Sequence, residues 1–143
     1  MKKRVNNFLY ERESYLIRGA CFEVWKKFGS AYKEEAVDRA LTLELEKRGL
    51  QVENQKRLDI IYLGKKVGSY VPDKVIKGVI ILELKRKSYL TKQDLKNSWN
   101  YLKGSNFKLG FLVNFGDERL QIKPPPARRS STLSSDETLG VSF

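Results

Sequence analysis

The sequence contains no histidine, and Cys21 is its single cysteine among 143 residues. Without histidine, serine–histidine catalysis, imidazole bases and histidine-rich metal sites are excluded. One cysteine cannot form a disulfide within the chain, a zinc cluster or an iron–sulfur site. Any hydrolytic chemistry would therefore depend on carboxylates, lysine, tyrosine and a bound metal ion.

Long apolar runs are also absent. No stretch reaches the roughly 18–20 apolar residues that a membrane span requires. The basic start, Met1-Lys2-Lys3-Arg4, is followed by Glu11-Arg12-Glu13 with no apolar signal core between them. We therefore expect a cytoplasmic protein in a reducing environment, with no membrane partner.

Acidic residues are the minority charge: 17 Asp and Glu stand against 28 Lys and Arg, which gives a net charge of +11. A surplus of this size in a small domain favours a polyanionic partner, chiefly nucleic acid or else an anionic membrane surface. A basic protein without such a partner is the alternative. The length and the 41% hydrophobic content fit one folded domain over residues 1–123. The Pro-, Arg- and Ser-rich residues 124–143 read as a disordered tail.

Apolar periodicity predicts two helices, over about 11–27 and 33–48, ended by Gly29 and Gly49. Ser14 is a candidate cap for the first helix, and Cys21 is expected to be buried in it. Three extended segments follow, over about 51–62, 66–76 and 79–87, and consecutive hairpins predict that they pair antiparallel. Thr91 opens a third helix, with Asp94 at the capping-box position. The strand over 107–115 should lie parallel to the 79–87 strand, and residues 120–123 form a short edge strand.

Charged residues interrupt the apolar strand Val79-Ile80-Ile81-Leu82-Glu83-Leu84-Lys85. Unpaired charges in such a strand are costly, and proteins tolerate them mainly by pairing or by metal coordination. Side chains alternate along a strand, so Glu83 and Lys85 share a face about 6–7 Å apart. Together with Asp73 on the preceding segment, they could hold a hard divalent ion and a water molecule.

This site requires a particular turn at Lys77-Gly78. A strict two-residue turn would pair Asp73 with Leu82 and turn it away from Glu83, whereas one extra residue brings Asp73 opposite Glu83. Gly78 accepts a positive φ at little cost. We therefore predict a bulged or three-residue connection. The alternative is an exposed hairpin on which Glu83 and Lys85 form an ordinary solvated pair.

Pro72-Asp73 followed by Glu83-Leu84-Lys85 resembles the PD-(D/E)XK nuclease motif. Over roughly Leu16–Phe115, about 100 of the 143 residues, the chain resembles the GxxExxY family, a branch of the PD-(D/E)XK nuclease-like superfamily. The further segments that carry this resemblance are Gly19-Ala20, Glu23-Val24, Gly29, Glu34 with Ala40-Leu41, Asn100-Tyr101-Leu102-Lys103 and Gly110-Phe111-Leu112-Val113-Asn114-Phe115-Gly116.

The resemblance implies an α/β fold with a restriction-endonuclease-like core, a mixed sheet of about four or five strands flanked by helices. It implies a metal-dependent nuclease in which Asp73 and Glu83 bind Mg²⁺ or Mn²⁺, helped by the backbone carbonyl of Leu84. Glu34 would approach from its helix as a direct or water-mediated ligand. As an ordinary helix residue, Glu34 would instead only favour the helix dipole.

The remaining implied roles concern water and substrate. Lys85 would orient the attacking water or help to deprotonate it, and Asn97 and Tyr101 would position water or phosphate. The implied substrate is nucleic acid, DNA in preference to RNA. A homodimer is compatible with cutting both strands of a duplex.

The chain departs from the family pattern at two places. Where the family has Gly-x-x-Glu-x-x-Tyr, this chain has Ala31, Glu34 and Val37, and Asn97 stands where related nucleases often have Gln. Asn is one methylene shorter than Gln, which shortens its reach. Two further hypotheses therefore stay open on the same fold: a non-catalytic nucleic-acid-binding domain, and a protein-interaction or regulatory module.

Overall fold

A computed structural model describes residues 10–103, 107 and 109–124, except for the side chains of Tyr101 and Lys103. Beyond Pro124, the predicted tail lies outside the described residues. The helices in the described part are α1 (Glu11–Phe28), α2 (Glu34–Lys47) and α3 (Lys92–Lys103). The strands are β1 (Val52–Asn54), β2 (Leu58–Tyr62), β3 (Lys65–Tyr70), β4 (Lys74–Ile76), β5 (Ile80–Lys85), β6 (Leu109–Phe115) and β7 (Leu120–Lys123).

Five strands form the main sheet, in the order β1-β4-β5-β6-β7. All neighbours pair antiparallel except β5 and β6, which are parallel and are connected through α3. A parallel pair needs a long crossover, and a helix is its usual form. The predicted mixed sheet, the parallel β6 and the edge strand β7 are thus confirmed.

The first two of the three predicted extended segments are each broken in two, whereas the predicted antiparallel pairing is confirmed. The first segment turns away at Gln55, which has a φ of 56°, and β2 then pairs with β3 in a separate two-stranded sheet. The second is interrupted over Val71-Pro72-Asp73. Proline has no N–H to donate to a ladder, which explains a break at this point.

One face of the main sheet packs against α1 and α2. The buried cluster joins apolar residues of both helices, and Leu50 just after α2, to the inward residues of β4, β5 and β6: Ile17, Ala20, Cys21, Val24, Val37, Leu41, Leu45, Leu50, Ile76, Ile80, Leu82, Phe111, Val113 and Phe115. Cys21 is buried as predicted, and burial raises the pKa of its thiol to about 12. The helix stop at Gly29 is confirmed, whereas α1 begins at Glu11 and Ser14 lies inside it, so the cap prediction is wrong.

The opposite face is covered in part by α3. A Cβ added to Gly110 would lie 3.3 Å from the Trp99 ring, so the helix sits closely on β6. The predicted capping box opens α3: the Thr91 amide donates to Asp94 Oδ2 over 2.9 Å, and the Asp94 amide donates to Thr91 Oγ1 over 3.1 Å. None of the described helices is both long enough and apolar enough to cross a membrane.

Candidate active site

The β4–β5 turn has the extra residue that the site requires. Ile76 pairs with Ile80, so Lys77, Gly78 and Val79 form a three-residue connection, which confirms the prediction. Gly78 takes a φ of 74°, but Lys77 also takes a positive φ of 57°. Strain of this kind in a non-glycine residue needs support from the surrounding structure.

That support comes from two contacts of Lys77. Its amide donates to Gln51 O over 2.8 Å, and its Nζ lies 2.7 Å from Glu13 Oε2 near the start of α1. Glu13 is buried, and the hydrogen bond from Lys77 holds the pKa of its carboxyl below the usual value. The turn that sets the register of the site is therefore fastened to α1.

Continued by one residue, the same register sets Asp73 opposite Glu83. The Leu84 amide donates to Asp73 Oδ2 over 2.7 Å, and the Asp73 amide hydrogen-bonds the Glu83 carboxylate. On its other side, Asp73 O accepts from the Gln55 amide over 3.2 Å. The structure therefore brings Asp73 and Glu83 together. The Asp73 side chain accepts from the amide that follows Glu83, and the Glu83 side chain accepts from the Asp73 amide.

Burial raises the pKa of Asp73, and the nearby carboxylates of Asp38 and Glu34 raise it further. The hydrogen bond from Leu84 and the charge of Lys74 act in the opposite direction. The combined effect raises the pKa of Asp73 above its ordinary value, because burial disfavours the anion.

The pKa of Glu83 is raised more than that of Asp73, and burial brings it to about 7. The charge of Lys85 and the Asp73 amide only partly offset this desolvation. Strand β5 lies between β4 and β6, and both Glu83 and Lys85 are half-buried. The alternative of an exposed hairpin with a solvated pair is therefore wrong.

Lys85 lies at the end of β5, beside Asn114 of β6 in the register. Asn114 is fully buried and holds the chain just after β5: its Oδ1 accepts from the Lys87 amide over 2.8 Å, and its Nδ2 donates to Lys87 O over 3.0 Å. Gln121 Oε1 accepts from Asn114 Nδ2 and from the Leu90 amide. These contacts fix the path that leaves Lys85.

Glu34 is exposed in the first turn of α2 and influences Asp73 electrostatically. Across the described residues, no group of three or more His, Cys, Asp and Glu side chains lies close enough together to hold a metal ion. Glu34 thus does not complete a three-acid cluster with Asp73 and Glu83, and its role as a ligand stays a prediction.

The predicted substrate-positioning residues are on α3. Asn97 is exposed, and its Oδ1 accepts from Gln93 Nε2 over 2.8 Å on the same helix. Trp99, which packs on the sheet, lies two residues away, so Asn97 points to the other side of the helix. The Tyr101 side chain lies outside the described atoms, and both positioning roles stay predictions.

The sequence interpretation missed Lys74, whose side chain is 0% exposed. Its Nζ forms an ion pair with Asp38 of α2, and donates to Thr42 Oγ1 over 2.9 Å and to Asn54 Oδ1 over 2.8 Å. The available signal was a lysine beside Asp73 in an otherwise buried strand, together with Asp38 and Thr42 four residues apart on one helix face.

Residues 11–124 match the family described as the PD-(D/E)XK nuclease superfamily. The chain belongs to the PD-(D/E)XK nuclease superfamily. Membership of the GxxExxY branch stays a prediction. No curated protein matches the chain. A solved structure described as "Crystal structure of SSO0001" is similar at 20% identity and a TM-score of 0.41, covering 87% of this chain and 70% of that one.

PD-(D/E)XK nucleases generally use divalent metal ions, and the donor set here fits one. Asp73, Glu83 and the Leu84 carbonyl offer only oxygen, the donor that hard cations prefer. Mg²⁺ is commonly held by one or two carboxylates, with water and substrate phosphate completing its shell. The raised pKa of both carboxyls is consistent with a pair of acids that a cation would stabilise in the charged form.

Proposed function

We propose that this protein is a metal-dependent nuclease that hydrolyses phosphodiester bonds, with Asp73 and Glu83 as ligands of Mg²⁺ or Mn²⁺. One observation carries the proposal: a three-residue turn brings two desolvated carboxylates together, with Lys85 close enough to influence the charge of Glu83. The net charge of +11 supports a polyanionic substrate. We favour DNA over RNA, and a homodimer where both strands are cut.

Each residue of the site has a separate proposed role. The Leu84 amide uses Asp73 Oδ2, so Oδ1 is the oxygen that we propose binds the cation. Burial raises the pKa of Glu83 to about 7, so the carboxyl would release its proton when it becomes a ligand. When bound, a divalent cation would neutralise phosphate charge and lower the pKa of a coordinated water. Lys85 would hold that water in line with the phosphorus, and the Leu84 carbonyl and Glu34 are proposed as accessory ligands.

The deciding experiment measures cleavage of plasmid, duplex DNA, single-stranded DNA and single-stranded RNA with Mg²⁺, Mn²⁺ or EDTA. The variants are Asp73→Asn, Glu83→Gln and Lys85→Ala, with Glu35→Gln as the matched control because the Glu35 side chain is 77% exposed on α2. We expect EDTA and each site variant to reduce the rate by about 100-fold or more, as loss of a metal ligand or a proton-transfer group does. Glu35→Gln should cleave at the parent rate.

Lys85 is tested separately from the metal ligands. Lys85→Ala should bind Mg²⁺ as the parent does, measured by calorimetry, while Asp73→Asn should not. Normal cleavage by Lys85→Ala would refute the proposed role of Lys85. Cleavage at the parent rate by all three site variants would refute the proposed nuclease.

A second candidate is a non-catalytic nucleic-acid-binding domain on the same fold. The observation that favours it is the exposure of Glu34 outside any three-acid group in the described part of the chain, together with the outward position of Asn97. This candidate predicts salt-sensitive binding of nucleic acid without cleavage in any metal. A protein-interaction module would show neither binding nor cleavage.

A further inference from the structure

Strands β2 and β3 form an arm that continues two strands of the main sheet. We define the arm as residues 55–72. In the main sheet Asn54 pairs with Lys74, and four residues further along both strands Leu58 pairs with Tyr70. The register is therefore unchanged across the break. The arm is an extension of the β1–β4 pair.

The root of the arm is the candidate active site. Tyr70, the last residue of β3, is three residues from Asp73, which corresponds to at most about 11 Å of extended chain. Strand β3 has six residues, so at about 3.3 Å per residue the arm reaches roughly 20 Å beyond its root. Substrate bound at Asp73 would therefore lie next to the arm.

The surface of the arm combines apolar and basic side chains. Its tip, Leu63, is 82% exposed, and four more large apolar residues of the arm are exposed: Ile61, Tyr62, Val67 and Val71. The basic residues are Lys56, Arg57, Lys65 and Lys66, against one acid, Asp59. A two-stranded hairpin is marginally stable in water. Exposed apolar side chains on its strands and at its tip therefore favour a partner that covers them.

We propose that the arm inserts into the major groove of B-form DNA beside the phosphate at Asp73. The major groove accepts a two-stranded β-ribbon, whereas the deep, narrow major groove of A-form RNA does not. Lysines at the tip would contact phosphates, while Tyr62 and Leu63 would contact base edges and thymine methyl groups. The positive charge and the continuity with the site both favour this partner over a second copy of the chain.

The inference rests on the proposed nucleic-acid function, and Leu63→Asn tests it. Tyr62 pairs with Lys65, so Leu63-Gly64 is a two-residue loop, and Leu63 has a φ of 52° and Gly64 of 76°. Asn-Gly is the preferred sequence for such a loop, so this variant should fold at least as well as the parent. The matched control is Leu43→Asn, because Leu43 is also exposed, at 68%, and lies on α2.

Affinity for a short DNA duplex is measured by fluorescence anisotropy in EDTA. Leu63→Asn should weaken binding about tenfold, as losing the burial of one leucine does, and Leu43→Asn should match the parent. Hydrolysis of bis(p-nitrophenyl) phosphate in Mg²⁺ should be unchanged by Leu63→Asn. If the parent binds the duplex without hydrolysing the phosphate ester, and Leu63→Asn weakens that binding, the result would support the arm and refute the nuclease. Hydrolysis with an unchanged Leu63→Asn affinity would overturn the arm alone.

A charge test uses Lys66 and Lys26, whose side chains are 56% and 58% exposed and are both ion-paired to an acid. Lys66→Ala should reduce the slope of log affinity against log salt by about 1, as removal of one phosphate contact does, and Lys26→Ala should leave it unchanged. Light scattering tests whether a second copy of the chain binds the arm instead of DNA. A parent dimer that Leu63→Asn converts to monomer would overturn the proposal, because the arm would then bind a second copy.

Discussion

Glu83→Gln should stabilise the metal-free protein at alkaline pH. The pKa of Glu83 is about 7 in the folded chain, against 4.5 as its ordinary value, because burial disfavours the anion. A raised acid pKa means that the folded state binds more protons than the unfolded state between these two values. The free energy of unfolding therefore falls as pH rises from about 4.5 to 7, and this loss persists above pH 7.

The two pKa values set the magnitude. At about 1.4 kcal/mol per pKa unit, the difference between about 7 and 4.5 corresponds to roughly 3 kcal/mol. Gln is nearly the same size, stays neutral, and its Oε1 can still accept from the Asp73 amide. Glu83→Gln should therefore gain up to about 3 kcal/mol at pH 8 and nothing at pH 4, and the gain is a large fraction of a typical domain stability of about 5–15 kcal/mol.

The assay is urea denaturation in EDTA from pH 4 to pH 9, comparing the parent with Glu83→Gln and Glu35→Gln. Glu35 is exposed and weakly paired, so Glu35→Gln should stay within about 0.5 kcal/mol of the parent at every pH. Adding Mg²⁺ at pH 8 should stabilise the parent and leave Glu83→Gln unaffected. A Glu83→Gln protein that is less stable than the parent at pH 8, or equally stable at all pH values, would refute the desolvated-carboxylate argument.

Two further predictions concern stability. Lys74→Met should cost about 1–2 kcal/mol by urea denaturation, because the Asp38 carboxylate, 33% exposed, loses its ion pair and Thr42 and Asn54 lose their donor. Lys74→Met combined with Asp38→Leu should recover part of that loss. Asp94→Ala should cost about 1 kcal/mol at pH 7 through the lost capping box. The hydrogen bond from Lys87 lowers the pKa of Asp94 to about 2, so its contribution is present above about pH 4 and is lost as pH falls through 2. The Asp94→Ala loss should accordingly disappear in strong acid.

Local physics predicted much of this fold. The helices follow apolar periodicity, and their glycine stops at Gly29 and Gly49 take positive φ values of 58° and 86°. The parallel β6 followed from a helical crossover. The three-residue turn was predicted because one extra residue in the connection brings Asp73 opposite Glu83. The proposed pairing of the two carboxylates therefore predicted the length of the turn.

The arm and the position of Glu34 could not be predicted in the same way. The break at Gln55 depends on a positive φ in a residue with no strong local preference for it. Whether an acid in the first turn of α2 reaches the sheet depends on the packing of two helices, which periodicity does not determine. Sequence spacing therefore predicted that Asp73 and Glu83 lie together, but it did not determine where the Glu34 side chain lies.

Lys74 shows why the position of Asp73 depends on more than the hairpin. Adjacent strand residues point to opposite sides, so the lysine next to Asp73 extends toward α2 and β1, where Asp38, Thr42 and Asn54 bind its ammonium group. Removing this lysine would therefore affect the strand on which Asp73 depends, even though its side chain points away from the carboxylates. Lys74→Met should accordingly weaken Mg²⁺ binding as well as stability. Asp94→Ala, which lowers stability at a helix end, should leave Mg²⁺ affinity unchanged, so comparing the two separates positioning of Asp73 from general destabilisation.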